Sequence, residues 1–179
     1  MIFDINFLSM KFCLSFSDLV IHGIINGTLN PDIKVIGSCS GKESSSFKCE
    51  GMRNYIKWNV NLENSDFKIE SEFKVDQIDA KAVVLALWSG GRAPIVQVPV
   101  ETNLNPNEFK TIEASRSGNS LKITLDGMQL QDKDLATSID AVGWVPWRNT
   151  IYIKSLKLNY GNSEIKYKEN TFNLTRAFL

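Results

Sequence analysis

The sequence predicts an all-β protein, folded as one antiparallel β-sandwich of roughly ten to thirteen strands, with a β-barrel as the alternative. Apolar and polar residues alternate in runs of strand length, as they do over residues 67–75. Turns rich in Gly, Asn and Asp separate these runs. Apart from an ambiguous fit at the N terminus, no segment keeps an apolar repeat of helical period, and no repeat at a fixed spacing indicates a propeller or solenoid.

Length and charge bound the possible functions. The chain has 179 residues, which favours a single domain that comprises residues 1–179. A domain of this size can bury a hydrophobic core that needs no disulfide or metal to stabilise it. Lys and Arg number 20, as do Asp and Glu, so the sequence carries no electrostatic footprint for nucleic acid or an anionic membrane. Charged residues interrupt the longest apolar stretch well short of the roughly 20 residues of a membrane span. We therefore expect neutral partners, or partners that bind a local patch, and no transmembrane segment.

The apolar N-terminal segment, residues 1–25, allows two interpretations. A structural strand is favoured by the alternation of apolar side chains with Lys, Cys and Ser over residues 10–17, in which the apolar positions are Met10, Phe12, Leu14 and Phe16. A weak secretory signal is the alternative, with Lys11 as its basic part. Against a signal, Asp18 interrupts the part that should be purely apolar.

Cysteines and sequons bear on the compartment. Cys39 and Cys49 flank a Ser-rich loop that one disulfide could close under oxidising conditions, and free thiols are the equal alternative. Two glycosylation sequons, at Asn26 and Asn173, fit a secreted protein and favour an extracellular location over a cytoplasmic one. With one histidine and no paired Cys motif, we expect no metal and no cofactor.

The first half of the chain is predicted to contain several short strands. A turn leads into a strand at 33–36, and residues 38–46 form a polar loop. A further strand begins at Tyr55 and leaves through the turn 61–66. Residues 67–75 then form a half-buried antiparallel strand with mixed charge on its outer face.

The middle of the chain is more apolar. Residues 80–88 are nearly continuous in apolar character, which suits a central strand covered on both faces. A Gly-rich turn follows, and residues 95–100 form a strand whose Pro99 belongs at an edge or near its end.

A hairpin and a bulge are predicted further on. Residues 109–116 form a strand, and after a turn Leu121 starts an inward-facing row that continues at Ile123 and Leu125. Asp126 and Gly127 then form a two-residue hairpin turn, in which both residues need positive φ. In the last clear strand the apolar phase shifts by one residue after Ile153, so a β-bulge near Lys154 and Ser155 is expected. The tail offers a last strand or two, carried by Ile165, Tyr167, Phe172 and Leu174.

A catalytic site has little support. Glu70 and Glu72 share a strand face, as the acid and nucleophile of some glycoside hydrolases do, but Lys68 and Lys74 flank them and favour solvated surface charge. The sequence contains no G-x-S-x-G elbow, P-loop, H-E-x-x-H or Rossmann fingerprint, and His22 lies far in sequence from any nucleophile. We therefore expect no catalytic residues and no enzyme activity.

Aromatic and arginine side chains in two loops are the candidate ligand-binding residues. Trp144, Trp147 and Arg148 lie in GWVPWRN, and Trp88 precedes Arg92 at the turn WSGGRAP. An indole face stacks on the apolar face of a sugar ring, and arginine donates a fixed fork to hydroxyls, carboxylates or sulfates. The alternative is structural, since tryptophan often closes a sandwich core and arginine covers it with its stem.

The second half of the chain resembles the concanavalin A-like lectin/glucanase superfamily, including laminin-G-like and carbohydrate-binding jelly rolls. The similarity lies in FKTIEASRSGNSLKITLDGMQL followed by IDAVGWVPWRNTIYIKSLKL. The phrase Arg-x-Gly-x-x-Leu-x-Ile-x-x-Asp-Gly is matched by Arg116, Gly118, Leu121, Ile123, Asp126 and Gly127. The resemblance implies a jelly-roll fold and a range of functions: binding of glycans, proteins or lipids, and hydrolysis of polysaccharides. The sequence lacks the hydrolases' Glu-x-Asp-x-Glu strand and the Asp/Asn calcium cluster of legume-type lectins, which favours a calcium-independent binding module or a structural module.

Three hypotheses follow. The leading one is a non-enzymatic, lectin-like module that recognises a carbohydrate, a glycosylated surface or a protein surface. The first alternative is a structural domain that forms homo-oligomers through an exposed edge strand or the apolar N terminus. The second is a glycoside hydrolase or polysaccharide lyase that uses Glu70 and Glu72.

Overall fold

The computed structural model describes residues 19–37, 39, 42–51, 54–76, 82–100, 105, 108–146 and 149–160. Within these ranges the chain forms fourteen β-strands and no helix. In chain order the strands are β1 (Leu19–Ile25), β2 (Thr28–Leu29), β3 (Ile33–Ile36), β4 (Lys42–Glu43), β5 (Ser46–Glu50), β6 (Tyr55–Glu63), β7 (Phe67–Val75), β8 (Ala82–Trp88), β9 (Val96–Val100), β10 (Lys110–Ser117), β11 (Ser120–Leu125), β12 (Met128–Asp134), β13 (Ile139–Val145) and β14 (Thr150–Tyr160). The predicted strands at 10–16 and in the tail after Tyr160 lie outside the described residues.

The strands form two antiparallel sheets that enclose one main core. The first sheet has nine strands in the order β12-β11-β10-β7-β14-β1-β2, and β5, with β4 beside it, also pairs with β14. The second sheet has five strands in the order β3-β6-β13-β8-β9. The predicted antiparallel β-sandwich is therefore confirmed. The described residues form fourteen strands against the roughly ten to thirteen expected, and this count includes β2 and β4, which are only two residues long.

The first sheet follows the predicted alternation. In β7 every second residue from Phe67 to Val75 is buried and the residues between them are half-buried. In β14 the register against β7 shifts between Ile153 and Ser155, where the sequence predicts a bulge. This shift returns Leu156 and Leu158 to the core, where both are buried.

The β11–β12 hairpin turn also forms as predicted. Asp126 has φ of 47° and Gly127 has φ of 81°. The Asp126 Oδ1 accepts a hydrogen bond from the Thr111 backbone N–H at 2.8 Å, which ties the turn to β10. Hydrogen bonds to Glu108 and then to Asp126 raise the pKa of Lys110 above its usual value. These contacts fix the hairpin at one end of the first sheet.

In the second sheet the apolar strand β8 is covered on both faces, as predicted, but it is not the middle strand. The apolar strand β8 is buried from Val83 to Trp88, but it lies next to the edge strand β9, and the central strand is β13. Both are apolar on two faces because a second, smaller cluster of Val83, Ala86, Trp88 and Ala141 covers the side away from the main core. Pro99 lies near the end of the edge strand β9, as predicted.

A disulfide links the two sheets. Cys39, which follows β3 of the second sheet, is bonded to Cys49 in β5 of the first sheet. Of the two states that the sequence left open for this pair, the structure shows the disulfide.

No helix among the described residues is long and apolar enough to cross a membrane.

Candidate functional site

The structure assigns Trp144 to the core. Its side chain is 0% exposed and packs among the residues between the two sheets. Gly143 precedes it, at a point where an added Cβ would lie 3.1 Å from the Trp88 ring and closer still to the Ile56 carbonyl oxygen. A side chain enclosed between two sheets presents no surface to a ligand, so direct ligand contact by Trp144 is not compatible with this packing.

Trp88 lies on the opposite side of the second sheet, in the smaller cluster. It is 3% exposed, stacks with Tyr55 at 6.3 Å between ring centroids, and has the Lys57 ammonium 5.3 Å from its ring centroid. Its indole faces are therefore also closed to direct stacking. Trp88 instead supports the neighbouring Tyr55 and Lys57 on the outer face.

Arg92 remains exposed in the β8–β9 turn. The turn is held by two contacts: the Gly90 N–H donates to Asp140 Oδ2 at 2.5 Å, and the Ser89 and Thr137 hydroxyls lie 3.1 Å apart. Arg92 itself has no hydrogen bond or ion pair with any residue that the structure describes. It stays available for ligand contact.

The described binding candidates Trp88, Arg92 and Trp144 do not share one surface. Trp88 pairs with Ala141 near the start of β13, whereas Pro146 follows the end of that strand, about 17 Å away at the usual strand rise. Trp147 and Arg148 lie outside the described residues, between Pro146 and Asn149, so their role stays a prediction. Trp88 therefore lies near one end of the second sheet and Pro146, the last described residue of the GWVPWRN loop before Asn149, near the other.

The remaining predicted site residues are also placed. Asn26 is exposed in the β1–β2 turn, so its sequon faces solvent, while Asn173 lies outside the described residues. Glu70 and Glu72 lie on the outer face of the first sheet, where Lys157 Nζ is 2.6 Å from Glu70 and Lys154 Nζ is 2.8 Å from Glu72. Both carboxylates are thus engaged in an ion-pair ladder. No three His, Cys, Asp or Glu side chains of the described ranges lie together as metal ligands would.

An open edge on β6 was not expected from the sequence. β3 pairs with β6 only from Tyr55 to Trp58, while β6 continues to Glu63. In the described part of the chain, no strand pairs with β6 on that side beyond Trp58. The second half of β6 therefore borders a gap in the side of the sandwich.

A cleft of about 370 Å³ occupies this gap. It is bounded by β1 and β14 of the first sheet and by β6 of the second. Its apolar wall includes Ile21, Trp58, Leu158 and Tyr160, and its polar rim consists of Asn30, Asp32, Asn59 and Asn61. Small-molecule sites commonly combine apolar walls with a few converging polar groups in this way.

The sequence builds the cleft wall through one glycine. A Cβ added at Gly23 of β1 would lie 2.8 Å from Trp58 and 2.9 Å from Leu156. Glycine at this position therefore lets the Trp58 ring pack against the β1 backbone. The buried Trp58 side chain is thereby part of the cleft lining.

The β2–β3 turn positions one side of the rim. The Asn30 N–H donates to Gly23 O at 2.7 Å, and the Asn30 Nδ2 donates to His22 O at 3.2 Å, which pins the turn to β1. Asn30 Oδ1 accepts from the Asp32 backbone N–H at 2.9 Å, an Asx turn. The Asp32 carboxylate is thereby held exposed at the rim before any ligand arrives.

The rim retains unused hydrogen-bonding capacity. Asn61 makes only a long contact, from Nδ2 to Glu63 Oε1 at 3.4 Å. The side chains of Asp32 and Asn59 have no hydrogen-bond partner among the residues that the structure describes. The carboxylate of Asp32 and the carboxamide of Asn59 can therefore bind a ligand that carries both donors and acceptors, and the Asn61 carboxamide would exchange one long hydrogen bond for a ligand contact.

Comparison with known proteins identifies the fold. No protein-family model matches the sequence, and no curated protein matches it at a significant level. Among solved structures, Trypanosoma rangeli sialidase is 10% identical with a TM-score of 0.59, over 78% of this chain and 31% of the sialidase chain. An alginate lyase of polysaccharide lyase family 7 is 12% identical with a TM-score of 0.51, over 73% of this chain and 79% of the lyase. Carbohydrate-binding module CBM66 of Bacillus subtilis is 16% identical with a TM-score of 0.53, over 70% of this chain and 94% of the module.

These likenesses, with the order of the two sheets, show a concanavalin A-like jelly-roll fold. The chain spans less than a third of the sialidase chains it matches. At such identities the comparisons define the architecture only.

Proposed function

We propose that this protein is a non-enzymatic, lectin-like module that binds a saccharide in the cleft beside β6. The observation that carries the proposal is the combination of an apolar wall with the side chains of Asp32 and Asn59, which have no hydrogen-bond partner among the described residues, and of Asn61, which makes only one long hydrogen bond. A sugar ring has an apolar face of C–H groups and a perimeter of hydroxyls. The cleft offers a surface for each, because amide and carboxylate groups bind hydroxyls in both donor and acceptor roles.

The structural relatives support this choice of ligand class. CBM66 is a carbohydrate-binding module, and the aligned part of this chain covers 94% of it. The enzymes among the relatives, sialidase and alginate lyase, are also named for carbohydrate substrates. Because Glu70 and Glu72 are both ion-paired on the first sheet, away from the cleft, binding without catalysis is the reading we adopt.

The rim amides provide a direct test. We expect Asn59→Ala and Asn61→Ala each to weaken binding of the best saccharide on a glycan array by about 3- to 10-fold, the effect of losing one hydrogen bond. Isothermal titration would give the affinities. Asn119→Ala is the matched control, since Asn119 is exposed in the β10–β11 turn and does not line the cleft. If a variant carrying both Asn59→Ala and Asn61→Ala bound the saccharide with unchanged affinity, or if the native protein bound no saccharide, the cleft would not be the binding site.

A self-assembling structural domain is the second candidate, and the edge strand β12 favours it. Met128 is 67% exposed and Leu130 is 41% exposed there. One observation counts against assembly at this edge: the strand continues with the charged residues Asp132, Lys133 and Asp134, and such charges commonly protect an edge from pairing. Light scattering decides: a stable dimer that Leu130→Lys converts to monomer would favour assembly, and a monomeric native protein would exclude assembly through this edge.

A further inference from the structure

The cleft beside β6 is lined by a single charged side chain. Of its ten lining residues, Asp32 alone is ionic, and the others are apolar or uncharged polar residues. Asp32 is exposed, and its carboxylate has neither a hydrogen-bond nor an ion-pair partner in the described part of the chain. The lining of the cleft therefore carries one negative charge and no positive charge.

Two lysines belong to the strands at the rim, and neither pairs with this carboxylate. Lys34 lies two residues after Asp32, but no ion pair joins them and Lys34 does not line the cleft. Lys57 of β6 directs its ammonium towards Trp88, 5.3 Å from the ring centroid, on the side of β6 that is away from β3. An anionic ligand in the cleft would therefore meet a carboxylate and no lining cation.

The position of Asp32 distinguishes it from the other aspartates of the fold. Carboxylate oxygens accept hydrogen bonds from other residues at Asp66, Asp76, Asp126 and Asp140. Asp132 and Asp134 of the edge strand β12 have no such contact with a described residue, but they do not line the cleft. Asp32 combines an unused carboxylate with a place at the rim of an apolar-walled cleft.

The β2–β3 turn holds Asp32 in a fixed place. Asn30 bonds to β1 and to the Asp32 backbone N–H, and the Ile33 N–H donates to Asn30 O at 3.0 Å. The ring of Pro31 fixes its own φ, and the Ile33 side chain is buried in the main core. The backbone is anchored on both sides of Asp32, so a ligand does not have to order the turn when it binds.

Asp32 lies opposite Asn59 at the point where β3 begins. Ile33 is the register partner of Trp58, and continuing this antiparallel register by one residue places Asp32 beside Asn59. Both of these side chains line the cleft. Directly opposed residues have Cβ atoms about 4.5 to 5.5 Å apart, so the carboxylate and the carboxamide can converge on one group of a ligand.

The ligand group that suits this pair is an ammonium. An ammonium has three N–H donors and no acceptor, whereas a hydroxyl has a single donor. Asp32 supplies two carboxylate oxygens and Asn59 one carboxamide oxygen, which together match these donors. A hydrogen bond between an ammonium and a carboxylate is charge-assisted and stronger than one between neutral groups.

We propose that Asp32 and Asn59 bind the ammonium group of an amino sugar, so that the cleft selects a cationic saccharide over a neutral or an acidic one. This inference rests on the proposed function and adds the charge class of the ligand. The C–H face of the sugar packs on the apolar wall while its amino group lies at Asp32. The ligand class that fits is a hexosamine oligosaccharide with free amino groups.

A matched pair of ligands tests the ammonium site: an oligosaccharide of glucosamine, and the same oligosaccharide with every amine acetylated. A β-glucan of equal length, with hydroxyls in place of the amines, controls for the bulk of the acetyl groups, and an oligouronate represents acidic ligands. Isothermal titration is performed at about pH 6, where free amines are protonated and carboxylates are ionised. We expect the native protein to bind the free amine about 5-fold more tightly than either neutral ligand, and this preference to shrink as salt is added.

Two variants carry the test. Asp32→Asn should bind the amine and the neutral ligands about equally, because the charge that favours the ammonium is gone. Asp132→Asn is the control, because it removes the same charge from an exposed position of β12 that does not line the cleft. It should keep the preference of the native protein.

The outcomes separate this inference from the proposed function. Equal binding of the charged and neutral ligands by the native protein, tighter binding of the oligouronate, or equal effects of Asp32→Asn and Asp132→Asn would overturn the ammonium site. The cleft would still stand in those cases if Asn61→Ala weakened binding of the preferred saccharide. Binding of no saccharide would overturn both proposals. A preference for the amine that Asp32→Asn abolishes and Asp132→Asn retains supports the ammonium site.

Discussion

Replacing Trp144 with alanine is expected to lower the free energy of unfolding by about 3 to 5 kcal/mol. The indole is fully enclosed between the sheets, so its removal loses its burial and leaves a cavity that the rigid neighbouring strands can fill only in part. Denaturant titration measures the loss. Saccharide binding by the folded fraction should stay unchanged, because Trp144 does not line the cleft.

Trp144→Phe is the control for this prediction. It keeps an aromatic ring and removes an indole N–H that has no hydrogen-bond partner among the described residues. We expect less than half of the destabilisation caused by alanine. If Trp144→Ala instead abolished binding and left the free energy of unfolding intact, the assignment of Trp144 to the core would be contradicted.

Arg116→Met is expected to lower the free energy of unfolding by about 3 kcal/mol, because Arg116 is a buried cation held by neutral acceptors. The residue is 3% exposed. Its Nε donates to Gly118 O at 2.7 Å, and its Nη1 donates to Thr137 O at 2.8 Å and more weakly to Glu63 O at 3.4 Å. One guanidinium thus joins the β10–β11 turn, the β12–β13 connection and the end of β6, and its loss leaves their carbonyl groups without that donor.

Arg116→Lys separates charge from geometry. Lysine retains the cation but cannot present the planar fork that reaches three carbonyls, so we expect an intermediate loss of stability. Thermal and denaturant unfolding of both variants provide the measurement. Native-like stability of Arg116→Met would show that desolvation of the guanidinium cancels what its hydrogen bonds contribute.

The parts of the fold that could be predicted from the sequence are those set by local pattern. The hairpin turn at Asp126 and Gly127 needs two positive φ angles, and the sequence supplies residues that adopt them. The bulge after Ile153 follows from the requirement that Leu156 and Leu158 return to the core. Both signals lie within a few residues and do not depend on which strands pair at long range.

The face to which each tryptophan points could not be predicted in the same way. β13 reads IDAVGWV, and from Ala141 onward it has no polar residue to mark an outer side. Period-two alternation therefore does not tell which of its faces meets the main core. The structure resolves this by covering both faces, with Trp144 on one side and Trp88 packed over the other.

The cleft depends on a pairing that the sequence does not show. It exists because β3 begins at Ile33, opposite Trp58, while β6 continues past Trp58 to Glu63. This offset is a long-range property of two strands. One local signal was present. Asn59 and Asn61 alternate with apolar residues in β6, and asparagine is disfavoured in strands, so two of them on one strand face indicate a role other than sheet stability.

The central claim is that the saccharide binds in the cleft beside β6, and an amide NMR titration with the best-binding saccharide tests it most directly. The account predicts that chemical-shift changes concentrate at Asn59, Asn61 and the Asn30–Asp32 turn. Changes confined to Arg92, or to Trp147 and Arg148, with the cleft residues unperturbed, would contradict it.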